Sequence, residues 1–214
     1  MELIIYMDSW GREVDGTASG SYNKVYRTND DYLQRIECYD NDVLTHTTIF
    51  VSTLAEAHGF LRQKPEVSFT ECCLLTAVAG KYRQYDQFNL SQTGLMGHLS
   101  VQVYGEGIFP VYEKADPEAK ETQEQIRKYF YLPEVKVDYE FEYHTDGSFK
   151  QLTIYDPCDH MGTEEHVIYP GEVGRDKNGF GFTWAGMEYY ENAFPVLPDR
   201  EIKPEFLPYQ FRSK

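Results

Sequence analysis

The chain is 214 residues long and carries 35 Asp and Glu against 20 Lys and Arg, a formal net charge of −15. A field of that sign repels nucleic acid and anionic membrane and attracts cationic macromolecules, which argues against direct binding to either polyanion and for a basic protein as partner. Hydrophobic residues at 41% and aromatics at 15% supply a core and set the chain apart from an acidic disordered tail.

In chain order, the opening Met1-Glu2-Leu3-Ile4-Ile5-Tyr6 lacks the basic segment and long apolar stretch of a secretory leader. Glu2–Met7 reads instead as a first strand. The four cysteines (Cys38, Cys72, Cys73, Cys158) form no CxxC pair, and a reducing cytoplasm is the expected location. Tyr22–Arg27, Leu33–Tyr39 and Leu44–Val51 continue a strand-rich opening, and Leu99–Tyr104 adds a further strand. Thr53-Leu54-Ala55-Glu56 has capping-box form and opens a helix running to about Gln63. Ser68-Phe69-Thr70-Glu71 repeats that form ahead of the apolar run Cys72–Ala79, which predicts a buried helix over about Ser68–Gln87. Asp116-Pro117 supplies an N-cap and a first-turn proline for a second helix over Pro117–Phe130, acid-rich at its start and base-rich at its end.

Beyond it, Val135–His144 alternates, with Val135, Val137, Tyr139, Phe141 and Tyr143 on one side and Lys136, Asp138, Glu140, Glu142 and His144 on the other. Asp146-Gly147 signals a hairpin turn and Phe149–Tyr155 the returning strand. Gly179–Thr183 and Met187–Tyr190 suggest a late hairpin around Ala185-Gly186. Pro195, Pro198, Pro204 and Pro208 mark residues 195–214 as an extended strap held down by Phe194, Leu197, Phe206 and Tyr209. The expected fold class is therefore α+β, mostly antiparallel sheet with two or three helices, one of them buried. It forms one domain over residues 1–194, with a sub-boundary near 110–116.

A weak internal echo links three segments. Tyr26-Arg27-Thr28-Asn29-Asp30 lines up with Tyr143-His144-Thr145-Asp146-Gly147, and Tyr6-Met7-Asp8 with Gly11-Arg12 is a looser likeness. Tyr39-Asp40 and Tyr155-Asp156 follow the first two. This tyrosine and aspartate-glycine pattern resembles the hairpin repeats of bacterial YD-repeat and YwqK-type antitoxin proteins over about a third of the chain. The resemblance implies a toxin-neutralising role and carries no functional residue across.

Two His-x-Thr/Ser tripeptides are the sharpest enzymatic feature: His46-Thr47-Thr48 on one strand and His98-Leu99-Ser100 opening another. Residues two apart on a strand share a face, so each imidazole is expected beside its hydroxyl. Two facing pairs would place an acid and a base at a phosphodiester. The pattern resembles the signature of the 2H phosphoesterases, which act on cyclic or 2′,5′-linked nucleotides without metal. The resemblance implies His46 and His98 as acid and base, with Thr48 and Ser100 as phosphate binders.

The remaining signal is acidic. Between Val111 and Pro170 there are 14 acids and 6 bases. Asp138, Glu140 and Glu142 share one side of a strand, and Asp146, Asp156 and Asp159 flank the following hairpin. Like charges at that spacing repel, so the stripe is read as a surface for a basic partner. Asp156, Cys158, Asp159, His160, Glu164, Glu165 and His166 match no structural zinc spacing and read as an acidic loop, with no metal and no cofactor expected. The functional reading is an acidic inhibitor of immunity or counter-defence type, bacterial or phage, with a 2H-like phosphoesterase and a structural accessory component as alternatives.

Overall fold

The computed structural model describes residues 3–9, 11–15, 20–64, 69–120, 125–132, 137–155, 164–173 and 183–207. The chain divides into two compact units, Met1–Pro110 with Ala115–Thr122, and Val111–Lys114 with Gln123–Lys214.

The first unit is a sheet of seven strands in sequence order: β1 (Leu3–Asp8), β2 (Ser21–Arg27), β3 (Leu33–Asp40), β4 (Val43–Val51), β5 (Phe69–Ala79), β6 (Tyr82–Ser91) and β7 (Gly94–Tyr104). Neighbours are antiparallel except β4 and β5, which run parallel with Thr48 opposite Glu71 and Val51 opposite Leu74. A parallel pair needs a crossover, and helix α1 (Leu54–Gln63) supplies it. The Thr53 cap forms as the sequence indicates, while the Glu56 carboxylate reaches one residue beyond the N-cap, to Ser52, and so does not close the box on Thr53 itself. Thr53 Oγ1 accepts from the Glu56 N–H at 3.3 Å, and the Glu56 carboxylate accepts from the Ser52 N–H at 2.9 Å. Ala57 and Leu61 of α1 pack with Ile49, Cys72 and Leu90 on one face of the sheet. Val25, Ile36, Phe50, Cys73, Tyr85 and Tyr104 pack on the other.

That two-sided burial corrects the expected α+β class. The stretch read as a buried helix over Ser68–Gln87 is the hairpin β5–β6, closed by a two-residue turn at Gly80-Lys81 with Ala79 opposite Tyr82. Cys72 and Cys73 are both fully buried and feed opposite faces. A strand covered on both faces is apolar all round, and periodicity alone cannot separate it from a buried helix. The second expected helix, over Pro117–Phe130, is a single turn, α2 (Pro117–Lys120), and Ile126–Leu132 is strand β9. The Asp116 cap forms locally, its carboxylate accepting from the Glu118 N–H at 2.9 Å. Among the described residues only α1 exceeds four residues as a helix, so the protein is nearly all sheet. No helix among them is long and apolar enough to cross a membrane.

The second unit is antiparallel. Strand β8 spans Pro110–Ala115, and its Tyr112–Lys114 pair with β9; β10 (Val137–Tyr143), β11 (Phe149–Tyr155) and β12 (Glu164–Ile168) follow in order. Tyr139, Phe141, Tyr143, Leu152 and Ile154 are buried. Residues 187–193 belong to this core: Tyr190 stacks on Phe141 with centroids 4.2 Å apart, and the Tyr143 hydroxyl donates to the Tyr190 carbonyl at 2.8 Å. The late hairpin expected here is not a hairpin on its Met187–Tyr190 side, because Glu188–Tyr190 form one 3-10 turn. That turn buries the adjacent Tyr189 and Tyr190 together, which an alternating strand could not do. In the strap, Ile202 and Leu207 are buried while Phe194 and Phe206 stay half-exposed, and Tyr209 lies outside the described residues.

The three echoing segments share one turn geometry. The N–H of Asp8, Thr28 and His144 donates to the carbonyl four residues on (Arg12, Tyr32, Ser148), each at 2.9 Å. The N–H of Gly11, Asp31 and Gly147 donates back to Asp8, Thr28 and His144. Those three residues hold positive φ, at 76°, 64° and 89°. The left-handed place in the middle segment thus falls on Asp31, one residue beyond Asp30.

Candidate functional site

A polar row crosses four strands of the first unit. His46 and Thr48 project from β4, Glu71 from β5, Gln87 from β6 and Ser100 from β7. The Glu71 carboxylate lies 3.2 Å from His46 Nε2 and accepts from Gln87 Nε2 at 2.7 Å and from Thr48 Oγ1 at 3.4 Å. Thr48 Oγ1 is itself 3.2 Å from His46 Nε2. Ser100 Oγ donates to Gln87 Oε1 at 2.7 Å, which closes the row. The register explains it: Thr48 faces Glu71 and Gln87 faces Ser100. Burial alone would raise the Glu71 carboxyl, but the His46, Thr48 and Gln87 contacts outweigh it and hold its pKa below the ordinary carboxylate value. The hydrogen bond to Glu71 in turn raises the His46 imidazole. His46 is a carboxylate-oriented imidazole, about one-third exposed, capable of proton transfer; Ser100 is fully buried.

His98 is placed differently from its tripeptide partner. A bulge in the β6–β7 ladder sets Phe88 opposite His98 and Gln87 opposite Ser100. The imidazole sits edge-on to the Phe88 ring with centroids 5.2 Å apart, and its Nδ1 is 2.9 Å from Asp116 Oδ2. The structure therefore joins His46, Thr48 and Ser100 in one network and gives His98 a separate carboxylate. The bulge breaks the two-residue alternation on which the shared-face expectation rests.

In the second unit the acidic stripe is internally paired. Arg127, from the neighbouring strand β9, reaches Glu140 Oε1 at 3.0 Å and Glu142 Oε1 at 3.4 Å, and Lys150 of β11 reaches Glu142 Oε2 at 2.8 Å. Burial raises the Glu140 carboxyl; Glu142, which burial would also raise, is held low by Lys150 and Arg127. Asp146 is exposed at the hairpin turn and accepts from the Ser148 N–H at 2.9 Å and hydroxyl at 2.6 Å. Asp138 lies on β10, opposite Tyr155 of β11. Asp156 and Asp159, with Cys158 and His160, lie outside the described residues, and Glu164 to His166 belong to strand β12 rather than to a loop. Among the described residues no group of three or more metal-binding side chains forms.

Glu71 and Gln87 of the polar row carry no motif, and neither does Lys128, which stands apart from both networks in the second unit. Lys128 is fully buried; it donates to the Tyr189 carbonyl and, at 2.7 Å, to the Asn192 carbonyl, with its Nζ 3.7 Å from the Tyr189 ring centroid. Burial pulls its ammonium down to about 7. The strand alternation of Ile126, Lys128 and Phe130 is the signal that could have placed it inward.

Comparison with protein-family models, with curated proteins and with solved structures finds no match.

Proposed function

We propose that this chain is a non-enzymatic, acidic protein-binding inhibitor of immunity or counter-defence type, acting on a basic, nucleic-acid-handling protein. One observation carries the reading: the 35 acids outnumber the 20 Lys and Arg. No intramolecular pairing can balance that surplus, and a cationic surface can. The pairs that do form, Arg127 and Lys150 with Glu140 and Glu142, take the stripe's centre for the fold and leave Asp146 at the hairpin turn exposed. The resemblance to hairpin-repeat antitoxins points the same way.

The 2H-like phosphoesterase reading has less behind it. Its second phosphate binder, Ser100, is fully buried and donates to Gln87, and the acidic field opposes a nucleotide. Affinity capture on the immobilised chain at low salt, followed by assay of the purified captured protein, tests the proposal. The expected result is a basic protein whose activity falls stoichiometrically as the chain is added. Captured proteins that are acidic, or whose activity the complex leaves unchanged, would overturn it.

A further inference from the structure

The second unit holds an open cleft of about 420 Å³ beside the Asp146 hairpin. Its walls are Phe149 and Trp184, set edge to face with centroids 5.1 Å apart, and the apolar edges of Pro170 and Val173. Glu191 and Asn192 stand at its rim, and Glu191 is exposed. The backbone ties the parts together: Ser148 bridges Asn192, and the Ala193 N–H donates to the Gly147 carbonyl at 2.9 Å. The cleft and the outward Asp146 thus belong to one hydrogen-bonded corner of the unit.

We infer that this cleft receives an arginine side chain of the basic partner. The inference rests on the proposed binding of a basic protein and names the group that anchors it. Arginine fits each wall. Its aliphatic stem suits Pro170 and Val173, and its planar guanidinium stacks on aromatic faces. Its forked N–H groups match a carboxylate such as Glu191 and an amide oxygen such as that of Asn192. Aromatic walls with a carboxylate at the rim form the charge complement of a guanidinium, and an anionic or purely apolar occupant would leave Glu191 opposed or desolvated. Buried aromatic–arginine anchors of this kind carry a disproportionate share of interface energy.

Trp10 and Trp184 are the two tryptophans, so the Trp10→Phe variant leaves Trp184 as the sole reporter of the cleft. The probe is a fluorophore-labelled arginine-rich peptide, with the neutral citrulline peptide of the same length as control. Titration at low salt is read both by Trp184 emission and by peptide anisotropy. The expected result is a saturable change in Trp184 emission with the arginine peptide and none with citrulline. Glu191→Gln, made in the unaltered chain and read by anisotropy, is expected to weaken binding about tenfold. A silent Trp184, or an unchanged Glu191→Gln affinity, while anisotropy still reports salt-sensitive binding overturns the cleft and leaves the acidic-surface reading standing. Absence of binding by both readouts overturns both.

Discussion

Lys128 Nζ donates to the carbonyl of Asn192 at 2.7 Å, across 64 residues of chain. With the Tyr189 carbonyl as second acceptor, this ammonium fastens residues 187–193 to the sheet of the second unit. Lys128→Met would leave two carbonyls short of a donor, at a cost of about 1–3 kcal/mol each. The pH dependence has a defined sign. The folded pKa, about 7, lies below the ordinary 10.5, so between those values the unfolded chain binds a proton that the folded chain does not. Stability from this group therefore rises with pH across that window and is lost as pH falls through it. Chemical denaturation at several pH values is expected to show that slope in the native chain, and its loss in Lys128→Met.

The His46–Glu71 pair stabilises the first unit in a window between two titrations. The imidazole is raised above its ordinary 6.5, so its contribution is complete below that value and disappears as pH rises through the folded pKa. The carboxyl is lowered below its ordinary 4.5, so its contribution is complete above that value and disappears as pH falls through the folded pKa. Glu71→Gln is expected to lower the His46 pKa, measured by NMR titration of the imidazole, to reduce stability between 4.5 and 6.5 and to flatten the losses on either side.

Arg127→Met would strand Glu140, a largely buried carboxylate whose partner is 3.0 Å away. A loss of about 1–3 kcal/mol at neutral pH is expected. Burial already raises Glu140 above its ordinary 4.5. Removing Arg127 raises it further, so the loss grows as pH climbs from that value towards neutrality. Thermal unfolding at acid and neutral pH checks both size and direction.

Gly186 sits at φ +82°, and a Cβ there would meet the Phe206 ring at 2.6 Å. Gly80 has φ +57° with nothing within 4 Å. Gly80→Ala therefore costs only the left-handed backbone term, about 1 kcal/mol, whereas Gly186→Ala adds a clash with the strap. Melting temperatures are expected to fall further for Gly186→Ala.

Local rules made much of this fold legible and two-sided burial hid the rest. Thr53 and Glu56 mark α1 because a capping box is a short-range device, and Asp146-Gly147 marks its hairpin for the same reason. The strand β5 was not legible as a strand: Cys72 faces α1 and Cys73 faces the aromatic cluster, so the run Cys72–Leu75 shows no polar alternation and Thr76 is its first polar residue. Lys128 reads as a helix-end charge until Ile126 and Phe130, two residues to either side, are seen to share its face of a strand. The polar row is half legible. His46, Thr48 and Ser100 stand out by spacing, but Glu71 and Gln87 join them only through cross-strand register, which a single sequence does not display.

The central claim is that a surplus of carboxylates binds a cationic protein. The most direct test is the dissociation constant of the purified complex at about 0.1 M and about 0.5 M salt, where the screening length falls from about 10 Å to about 4 Å. The expected result is an affinity at least about tenfold weaker at the higher salt, with most of the change in the association rate. An affinity indifferent to salt would contradict it.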